Sequence, residues 1–210
     1  MNFNINTKVK PSLADAYYYR GLLLFESDRL EEAAKDFSKC IELNPHNEYA
    51  YLERGKMLYY LDDDEAALKD YNKALELNPN FADAYAARGF YFSIDSKEEE
   101  ALKDFNKALE LNPDDVETRK ERANILYDNQ SYPEAFLDYK KVLEKNPKDA
   151  EVHFHIALTL FPMGYYEAGK KHLATAAKLD PYYKNVPNDP YWEEEYGDEN
   201  QNLNDDENSL

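Results

Sequence analysis

The chain has 210 residues, of which 43% are hydrophobic and 32% charged, and its formal net charge at pH 7 is −18. This is enough apolar material for a continuous core, yet no stretch approaches the roughly 18 consecutive apolar residues of a membrane span. The negative charge repels phosphate backbones, so we expect no nucleic acid partner and favour a basic one. The only cysteine, Cys40, cannot form an intrachain disulfide, which is compatible with a reducing compartment.

Residues 1–11 form an N-terminal arm that precedes the repeated part of the chain and carries Lys8 and Lys10. The arm has no apolar run long enough for a secretory signal peptide. We therefore expect a cytoplasmic protein that is not inserted into a membrane.

A fixed period of 34 residues divides residues 12–181 into five repeats, each ending in proline. The prolines are Pro45, Pro79, Pro113, Pro147 and Pro181. The repeats span residues 12–45, 46–79, 80–113, 114–147 and 148–181. Because proline lacks an amide donor and biases the residue before it away from helical geometry, each proline ends a helix. The period predicts a stack of identical units, each made of helix A, a short turn and helix B.

The third repeat illustrates the pattern. We expect its helix A over about residues 83–94 and its helix B over about residues 98–111. Apolar residues in helix B recur at three- and four-residue spacings, at Ala101, Leu102, Phe105, Ala108 and Leu109. This spacing predicts one buried stripe on an amphipathic helix.

Columns of equivalent residues run through the five repeats. Helix A carries a small column at Gly21, Gly55, Gly89, Ala123 and Ala157. Helix B carries a second small column at Ala33, Ala67, Ala101, Ala135 and Gly169. A large column beside it consists of Phe37, Tyr71, Phe105, Tyr139 and Leu173. Glycine inside a helix costs about 1 kcal/mol relative to alanine, so its recurrence predicts a close approach of helices A and B.

This combination of period, columns and terminal proline over residues 12–181 resembles the tetratricopeptide repeat family. The resemblance implies an all-α fold of the alpha-alpha superhelix class, a right-handed solenoid of antiparallel helix pairs. It also implies a non-enzymatic adaptor or scaffold that binds a protein or peptide segment in its concave groove, with no cofactor.

The chain departs from the family pattern just before the Gly column, where the family favours leucine. The first four repeats have arginine there, at Arg20, Arg54, Arg88 and Arg122, and helix B has Asp36, Asp70, Asp104 and Asp138. The fifth repeat changes both residues together, to Ile156 and His172. The joint change predicts an Arg–Asp pair between helices A and B in each of the first four repeats. The alternative is two independent exposed columns.

Family geometry also indicates which helix A residues line the groove that binds the partner. These residues are Tyr18, Leu22, Phe25, Leu52, Lys56, Tyr59, Tyr60, Phe90, Ile94, Asn124, Tyr127, Phe154, Leu158 and Phe161. Acidic residues accompany them at Asp15, Glu26, Glu53, Asp83, Glu117, Glu121 and Glu151. Such a surface suits a partner segment that is partly apolar and partly basic. The alternative is that many of the aromatic rings pack on the helix A of the next repeat.

Other function classes find less support in the sequence. Chaperone-binding members of the family clamp a carboxylate with Lys and Asn, but the corresponding places hold Tyr18, Leu22 and Glu53, so we expect no such clamp. His153 and His155 are two residues apart and point in different directions on a helix, and His172 could lie near His153 across the helix pair. No acid or cysteine converges on them, so we predict no metal site, and no catalytic constellation is present. The alternatives to an adaptor that is monomeric or weakly self-associating are a self-assembling structural protein and a co-chaperone-like module without the carboxylate clamp.

Residues 182–210 form a short capping segment followed by an acidic tail that we predict to be disordered. The pair Asp189 and Pro190 is typical of a helix start. That helix would place Tyr191, Trp192 and Tyr196 over the fifth repeat. The alternative is that residues 190–196 occupy the groove and compete with a partner.

Overall fold

A computed structural model describes residues 12–185, which fold as ten α-helices and one 3₁₀ turn. The N-terminal arm and residues 186–210, with the expected capping helix and acidic tail, lie outside the described residues. In chain order the helices are α1 (Leu13–Glu26), α2 (Leu30–Leu43), α3 (Glu48–Tyr60), α4 (Asp64–Leu77), α5 (Ala82–Ile94), α6 (Glu98–Leu111), α7 (Val116–Asp128), α8 (Tyr132–Lys145), α9 (Ala150–Leu160) and α10 (Tyr166–Leu179), and the turn is Pro181–Asn185. The bounds expected for the third repeat agree with α5 and α6 to within one residue.

The chain forms two compact units, an N-terminal unit of residues 1–95 with α1 to α5 and a C-terminal unit of residues 96–210 with α6 to α10. Within each unit, every helix packs against the next one along the chain. In the N-terminal unit α3 also contacts both α1 and α5, so the odd-numbered helices, which are the A helices, lie side by side. This arrangement gives the A helices a face that is turned away from the B helices.

The residue before each repeat-ending proline, Asn or Asp, helps to form the turn after helix B through its side chain. At the end of α4, the Asn78 side chain accepts a hydrogen bond from the amide of Asn80 at 3.1 Å, and Asp180 does the same for Tyr182 at 2.8 Å. These bonds form turns of the kind that Asn and Asp favour. The following A helix begins with a capping side chain in several repeats, for example Ser12, which forms a capping box with Asp15.

The turn between helices A and B has the same backbone geometry in all five repeats. One residue in each turn has a positive φ, at Asp28, Asp62, Ser96, Gln130 and Gly164. In the fourth repeat the amide of Gln130 donates to Tyr127 at 2.8 Å, and the amide of Ser131 donates to Leu126 at 2.8 Å. These two bonds are the Schellman pattern at a helix C-terminus.

The small and large columns meet as the sequence predicts. The ring of Phe37 lies against Gly21, where a Cβ atom would approach the ring to 2.8 Å, and Tyr71 lies against Gly55, where the distance would be 2.7 Å. Both rings are buried. Glycine is therefore needed at these two positions because a buried aromatic side chain fills the space next to the helix backbone.

The outer edge of α1 is exposed where the equivalent edge of α3 is covered. Leu23 is 61% exposed, whereas Met57, one period later, is 0% exposed and packs on Ala33 and Phe37 of α2. Among the described residues, no helix precedes α1 to cover Leu23 in the same way.

The predicted Arg–Asp pairs are present in the first, second and fourth repeats. Arg20 binds Asp36 with its Nε and Nη2 atoms at 2.5 and 2.7 Å, and Arg54 binds Asp70 in the same way at 2.6 and 2.8 Å. Each aspartate is buried, while its arginine is partly exposed. Two parallel charge-assisted bonds fix the relative position of the two helices.

A further hydrogen bond connects two arginines of this column, Arg54 and Arg88, to the preceding helix B. Nη1 of Arg54 donates to Oγ of Ser38 at 3.2 Å, and Nη1 of Arg88 donates to Oδ1 of Asn72 at 2.6 Å. Arg54 and Arg88 therefore tie their A helices to the repeat before them, a contact that the Arg and Asp columns do not predict.

In the fourth repeat Asp138 accepts from two arginines. Arg122 binds it through Nε and Nη2, both at 2.7 Å, and Nη1 of Arg119 binds it at 3.1 Å. Nη2 of Arg119 also donates to the carbonyl of Pro113 at 2.5 Å, and Arg119 is itself buried. The polar run around Arg119, which could be interpreted as a solvated face, thus includes a buried structural ion pair.

In the fifth repeat a histidine pair replaces this ion pair. His153 and His172 stand exactly one period after Arg119 and Asp138, and their Nδ1 atoms lie 2.9 Å apart. Nε2 of His153 lies 3.1 Å from the carbonyl of Pro147, so this nitrogen carries a proton and donates to the carbonyl. The expected proximity of the two histidines is confirmed, and they join α9 to α10 by an imidazole–imidazole hydrogen bond.

We expect the C-terminal unit to lose stability at acid pH through His155 on α9. Burial lowers the pKa of His155, so its neutral form is favoured in the folded state and this stabilisation is lost as pH falls through the ordinary histidine range. Urea unfolding between pH 8 and pH 5 measures the resulting slope. His155→Phe, which cannot be protonated at this position, should flatten the slope, and an unchanged slope in this variant would contradict the role of His155.

Candidate protein-interaction surfaces

The groove residues expected in the N-terminal unit lie on α1, α3 and α5, and three of them, Tyr18, Leu22 and Phe25, also pack against a core cluster that includes Phe37 of the B helix α2. Tyr18, Leu22, Phe25, Lys56 and Tyr59 are half-buried. Tyr60 and Ile94 are more accessible, with exposed fractions of 56% and 72%. Phe90 is half-buried as well.

Aromatic rings of this set connect α1 and α3. The ring of Phe25 stacks on that of Tyr60 with centroids 6.1 Å apart and an interplanar angle of 18°. Tyr59 and Tyr60 have their ring centroids 5.9 Å apart. The alternative that these aromatic rings pack on the neighbouring A helix therefore holds for part of the set, and the rings together form a wall with one face open.

Acidic groups act on this aromatic wall. Burial, and after it the charge of Glu53, raises the pKa of Tyr18 to about 12. Glu53 in turn accepts a hydrogen bond from Nζ of Lys56 at 2.9 Å. Lys56 therefore neutralises Glu53 and is already engaged within the chain.

Leu52 was wrongly predicted to contact a partner. It is only 1% exposed and belongs to a core cluster with Tyr71 and Phe81. The same column holds Tyr18, Lys120 and Phe154, whose longer side chains reach the surface. The shorter side chain of Leu52 ends within the interface between α3 and α4.

In the C-terminal unit a polar network crosses the A-helix face. Nζ of Lys120 on α7 donates to Glu151 on α9 at 2.8 Å. The hydroxyl of Tyr139 donates to Oδ1 of Asn124 at 2.6 Å, and Nδ2 of Asn124 donates to Glu121 at 3.3 Å. Asn124 is therefore held by the chain in a fixed orientation.

Next to this network, aromatic rings surround His155. Tyr139 stacks on His155 with centroids 5.4 Å apart, and Tyr127 meets it edge-on at 6.4 Å. Tyr132 lies beside Tyr127 at 5.7 Å. Tyr127 and His155 are half-buried, so part of each ring faces solvent.

The chain itself covers part of the remaining predicted surface in this unit. The ring of Phe154 packs on Tyr183 of the 3₁₀ turn with centroids 5.0 Å apart. The ring of Phe161 lies against Gly169, where a Cβ atom would approach it to 2.7 Å. Leu158, which stands between these two residues in the sequence, is half-buried. Phe154 and Phe161 thus have structural contacts besides any contact with a partner.

Sequence reasoning missed three residues of these faces. Tyr49 is half exposed and its ring meets Phe81 at 4.8 Å, and Tyr132 and His155 form part of the C-terminal aromatic group. The column of His155 contains Tyr19, Glu53, Ala87 and Glu121 in the other repeats. Variation in a column of otherwise regular repeats was a signal in the sequence that it faces something other than the constant core.

The described residues hold no group of three or more His, Cys, Asp or Glu side chains placed to bind a metal ion. Cys40 is buried and its thiol accepts from Nδ2 of Asn47 at 3.4 Å, and burial raises its pKa. In residues 12–185 there is no helix with the length and apolar character needed to cross a bilayer.

Models of the tetratricopeptide repeat match residues 14–47, 82–115 and 150–183, and a further TPR repeat model matches residues 55–92 and 123–164. The chain belongs to the tetratricopeptide repeat family. The matched segments contain most of each described helix pair, including the Gly and Ala columns.

Solved structures of tetratricopeptide repeat proteins share the fold. A MamA structure aligns with a TM-score of 0.69 at 17% identity, covering 80% of this chain and 92% of that one. MamA from Desulfovibrio magneticus RS-1 aligns with a TM-score of 0.70 at 16% identity, with coverage of 80% and 96%. YrrB, described as a TPR protein with an unusual peptide-binding site, aligns with a TM-score of 0.67 at 24% identity, with coverage of 80% and 87%. The predicted fold class, an all-α alpha-alpha superhelix, is confirmed.

A curated relative matches over a short segment. The human mitochondrial import receptor subunit TOM70 is 41% identical over 46 residues, which are 22% of this chain and 8% of that receptor. The chain thus spans only a small part of the receptor's length.

Proposed function

We propose that this tetratricopeptide repeat chain is a non-enzymatic adaptor, and that each of its two units holds a protein segment on its own A-helix face. The observation that carries the proposal is the composition of these faces, where half-buried aromatic rings lie among carboxylates. A partner segment with both apolar and basic residues complements such a surface, since the rings take the apolar groups and the carboxylates take the basic ones.

The N-terminal unit favours the apolar part of such a segment. Tyr60 and Ile94 offer accessible apolar surface, and the stacked pair of Phe25 and Tyr60 is already ordered before a partner arrives. Rigid aromatic side chains contribute binding area at a small cost in conformational entropy. The description of YrrB as a peptide-binding TPR protein agrees with this kind of role.

Selection from a random peptide library displayed on phage would test the proposal with the full chain as bait. We expect the selected peptides to be enriched in Lys and Arg together with aliphatic or aromatic residues. Tyr60→Ala should weaken their binding, because it removes the most exposed ring of the wall, while its neighbours keep the fold. Leu137→Ala is the matched control, since Leu137 is an exposed apolar residue on the B helix α8.

Two results would overturn the proposal. One is the absence of any selected peptide. The other is a set of peptides whose affinity is the same for the wild type, Tyr60→Ala and Leu137→Ala. A second readout is capture of proteins from the source cells, in which the same pair of variants separates specific from nonspecific retention.

A further inference from the structure

His155 has an unusual position in the C-terminal unit. It lies against Tyr139 and Tyr127, and its Nδ1 atom is buried with no hydrogen-bond partner among the described residues. Burial lowers the pKa of this histidine and so favours its neutral form at physiological pH. A neutral imidazole adds another uncharged π surface to the two tyrosine rings and does not repel a cation.

Carboxylates stand around these rings. Burial, and after it the charge of Asp128, raises the pKa of Tyr139, and Glu121 and Glu151 act in the same direction. Asp128 also raises the pKa of Tyr127, after burial and Tyr132. The negative charge of these acids therefore acts on the phenol groups of both tyrosines.

The carboxylates differ in whether the chain already neutralises them. Glu151 is paired with Lys120 at 2.8 Å. In contrast, no described side chain forms an ion pair with Asp128, which is exposed, or with Glu121, whose bond is to the uncharged amide of Asn124. Two negative charges therefore remain without a cation beside an aromatic surface that is partly open to solvent.

We propose that the surface formed by Tyr127, His155, Asp128 and Glu121 binds a lysine or arginine side chain of a partner segment. The cation lies over the rings, and its N–H groups donate to the two carboxylates. Arginine fits better than lysine, because its planar guanidinium group can stack on a ring while it donates to a carboxylate in its own plane. The inference rests on the proposed function and names the basic group that the C-terminal unit binds.

Histidine at position 155 gives this contact a pH dependence. Protonation of His155 places a positive charge beside the bound cation, and because burial lowers the pKa of His155, the affinity should fall as pH decreases below the ordinary histidine range. The groups that face His155 are Tyr127, Asp128 and Lys120 on α7, Tyr139 on α8, Asp149 at the N-cap of α9, and Glu151 on α9. The carboxylates favour the protonation of His155, and Lys120 opposes it.

NMR titration of the full ¹⁵N-labelled chain would test the proposal with defined probes. The first probe is the capped peptide acetyl-Ala-Ala-Arg-Ala-Ala-amide, and the second has norleucine in place of arginine. We expect the arginine peptide alone to shift the amide signals of Tyr127, Asp128 and His155. The variant Asp128→Asn/Glu121→Gln should reduce its affinity by roughly tenfold.

The controls separate a local site from general charge. Glu144→Gln removes an acid from the exposed surface of α8, away from the rings, and should leave the affinity nearly unchanged. In His155→Phe, which cannot be protonated at this position, the affinity should no longer decrease at acid pH. Asp128→Asn alone, at an exposed position, provides a variant in which folding is not in question.

Three results would overturn the proposal. These are equal affinity for the norleucine peptide, equal loss in Glu144→Gln and in the double variant, and signal changes confined to the N-terminal unit. The last result leaves the adaptor function intact if library peptides still bind. An absence of library peptides would instead remove the adaptor function itself.

Discussion

Replacing Asp138 with alanine should lower the free energy of unfolding of the C-terminal unit by about 3–5 kcal/mol. The carboxylate is buried and accepts bonds from both Arg119 and Arg122. Without it Arg119, itself buried, retains only the Pro113 carbonyl as a partner for its positive charge. Leaving a buried charge uncompensated is the costly part of the change, more than the loss of the attraction itself. Urea unfolding followed by circular dichroism measures it.

Equivalent substitutions in the first two repeats provide a graded control. The arginine paired with Asp70 is 24% exposed, and the arginine paired with Asp36 is 63% exposed. Water can solvate the abandoned arginine more easily as its exposure rises, so the loss should decrease from Asp138→Ala to Asp70→Ala to Asp36→Ala. Equal losses at all three sites would show that desolvation of the arginine does not decide the effect.

Phe37→Ala should destabilise the N-terminal unit by about 3–5 kcal/mol. The ring is completely buried, lies against Gly21, and packs with Tyr18 at a centroid distance of 5.8 Å. Gly21, which lies directly against the ring, has no side chain that could move into the space that the ring leaves. The change thus combines the loss of apolar burial with a cavity that Gly21 cannot fill.

The matched control for this prediction is Leu23→Ala on the outer edge of α1. Leu23 is exposed, so its truncation should change stability by about 0.5 kcal/mol or less. A stability loss at Phe37 that is no larger than that at Leu23 would mean that α1 and α2 repack around the missing ring. Phe37→Leu, which retains most of the side-chain volume, should recover a large part of the loss.

Much of the fold could be predicted from the sequence because each feature recurs in three or more of the five repeats. A single Asn-Pro or a single glycine is weak evidence, but the same residue at the same step identifies a structural position. The Arg–Asp pair was predictable for the same reason, since Ile156 and His172 change together. The pairs in the first, second and fourth repeats were therefore predictable from this correlated change, without knowledge of the family.

The candidate surfaces were less predictable, because helical register gives the direction of a side chain but not the depth of the seam it enters. Leu52 points the same way as Tyr18 and Phe154, and only its shorter reach leaves it buried. His155 was not predicted to belong to the candidate surface. Its half-buried position and its aromatic neighbours depend on how α9 packs against α7 and α8, which the spacing of residues within α9 does not indicate.

The turns between helices A and B show another limit. A positive φ is usually signalled by glycine, because residues with a Cβ atom rarely adopt it. Four of the five turns here use Asp, Ser or Gln instead. The repeat pattern predicts a short turn between helices A and B, but Asp, Ser and Gln do not indicate that one residue of the turn is left-handed.

This recurrent turn also bears on how such a chain can be rearranged. The backbone enters and leaves it in the same way whether the left-handed residue is Asp28, Gln130 or Gly164, and the two bonds that close it involve main-chain atoms only. A gene fusion that joins one repeat to another at this turn therefore creates a junction whose local geometry already exists in the protein. Duplication, deletion or exchange of helix pairs at these points would leave the junction intact, so that recombination alters the order of the surfaces without requiring a new connection.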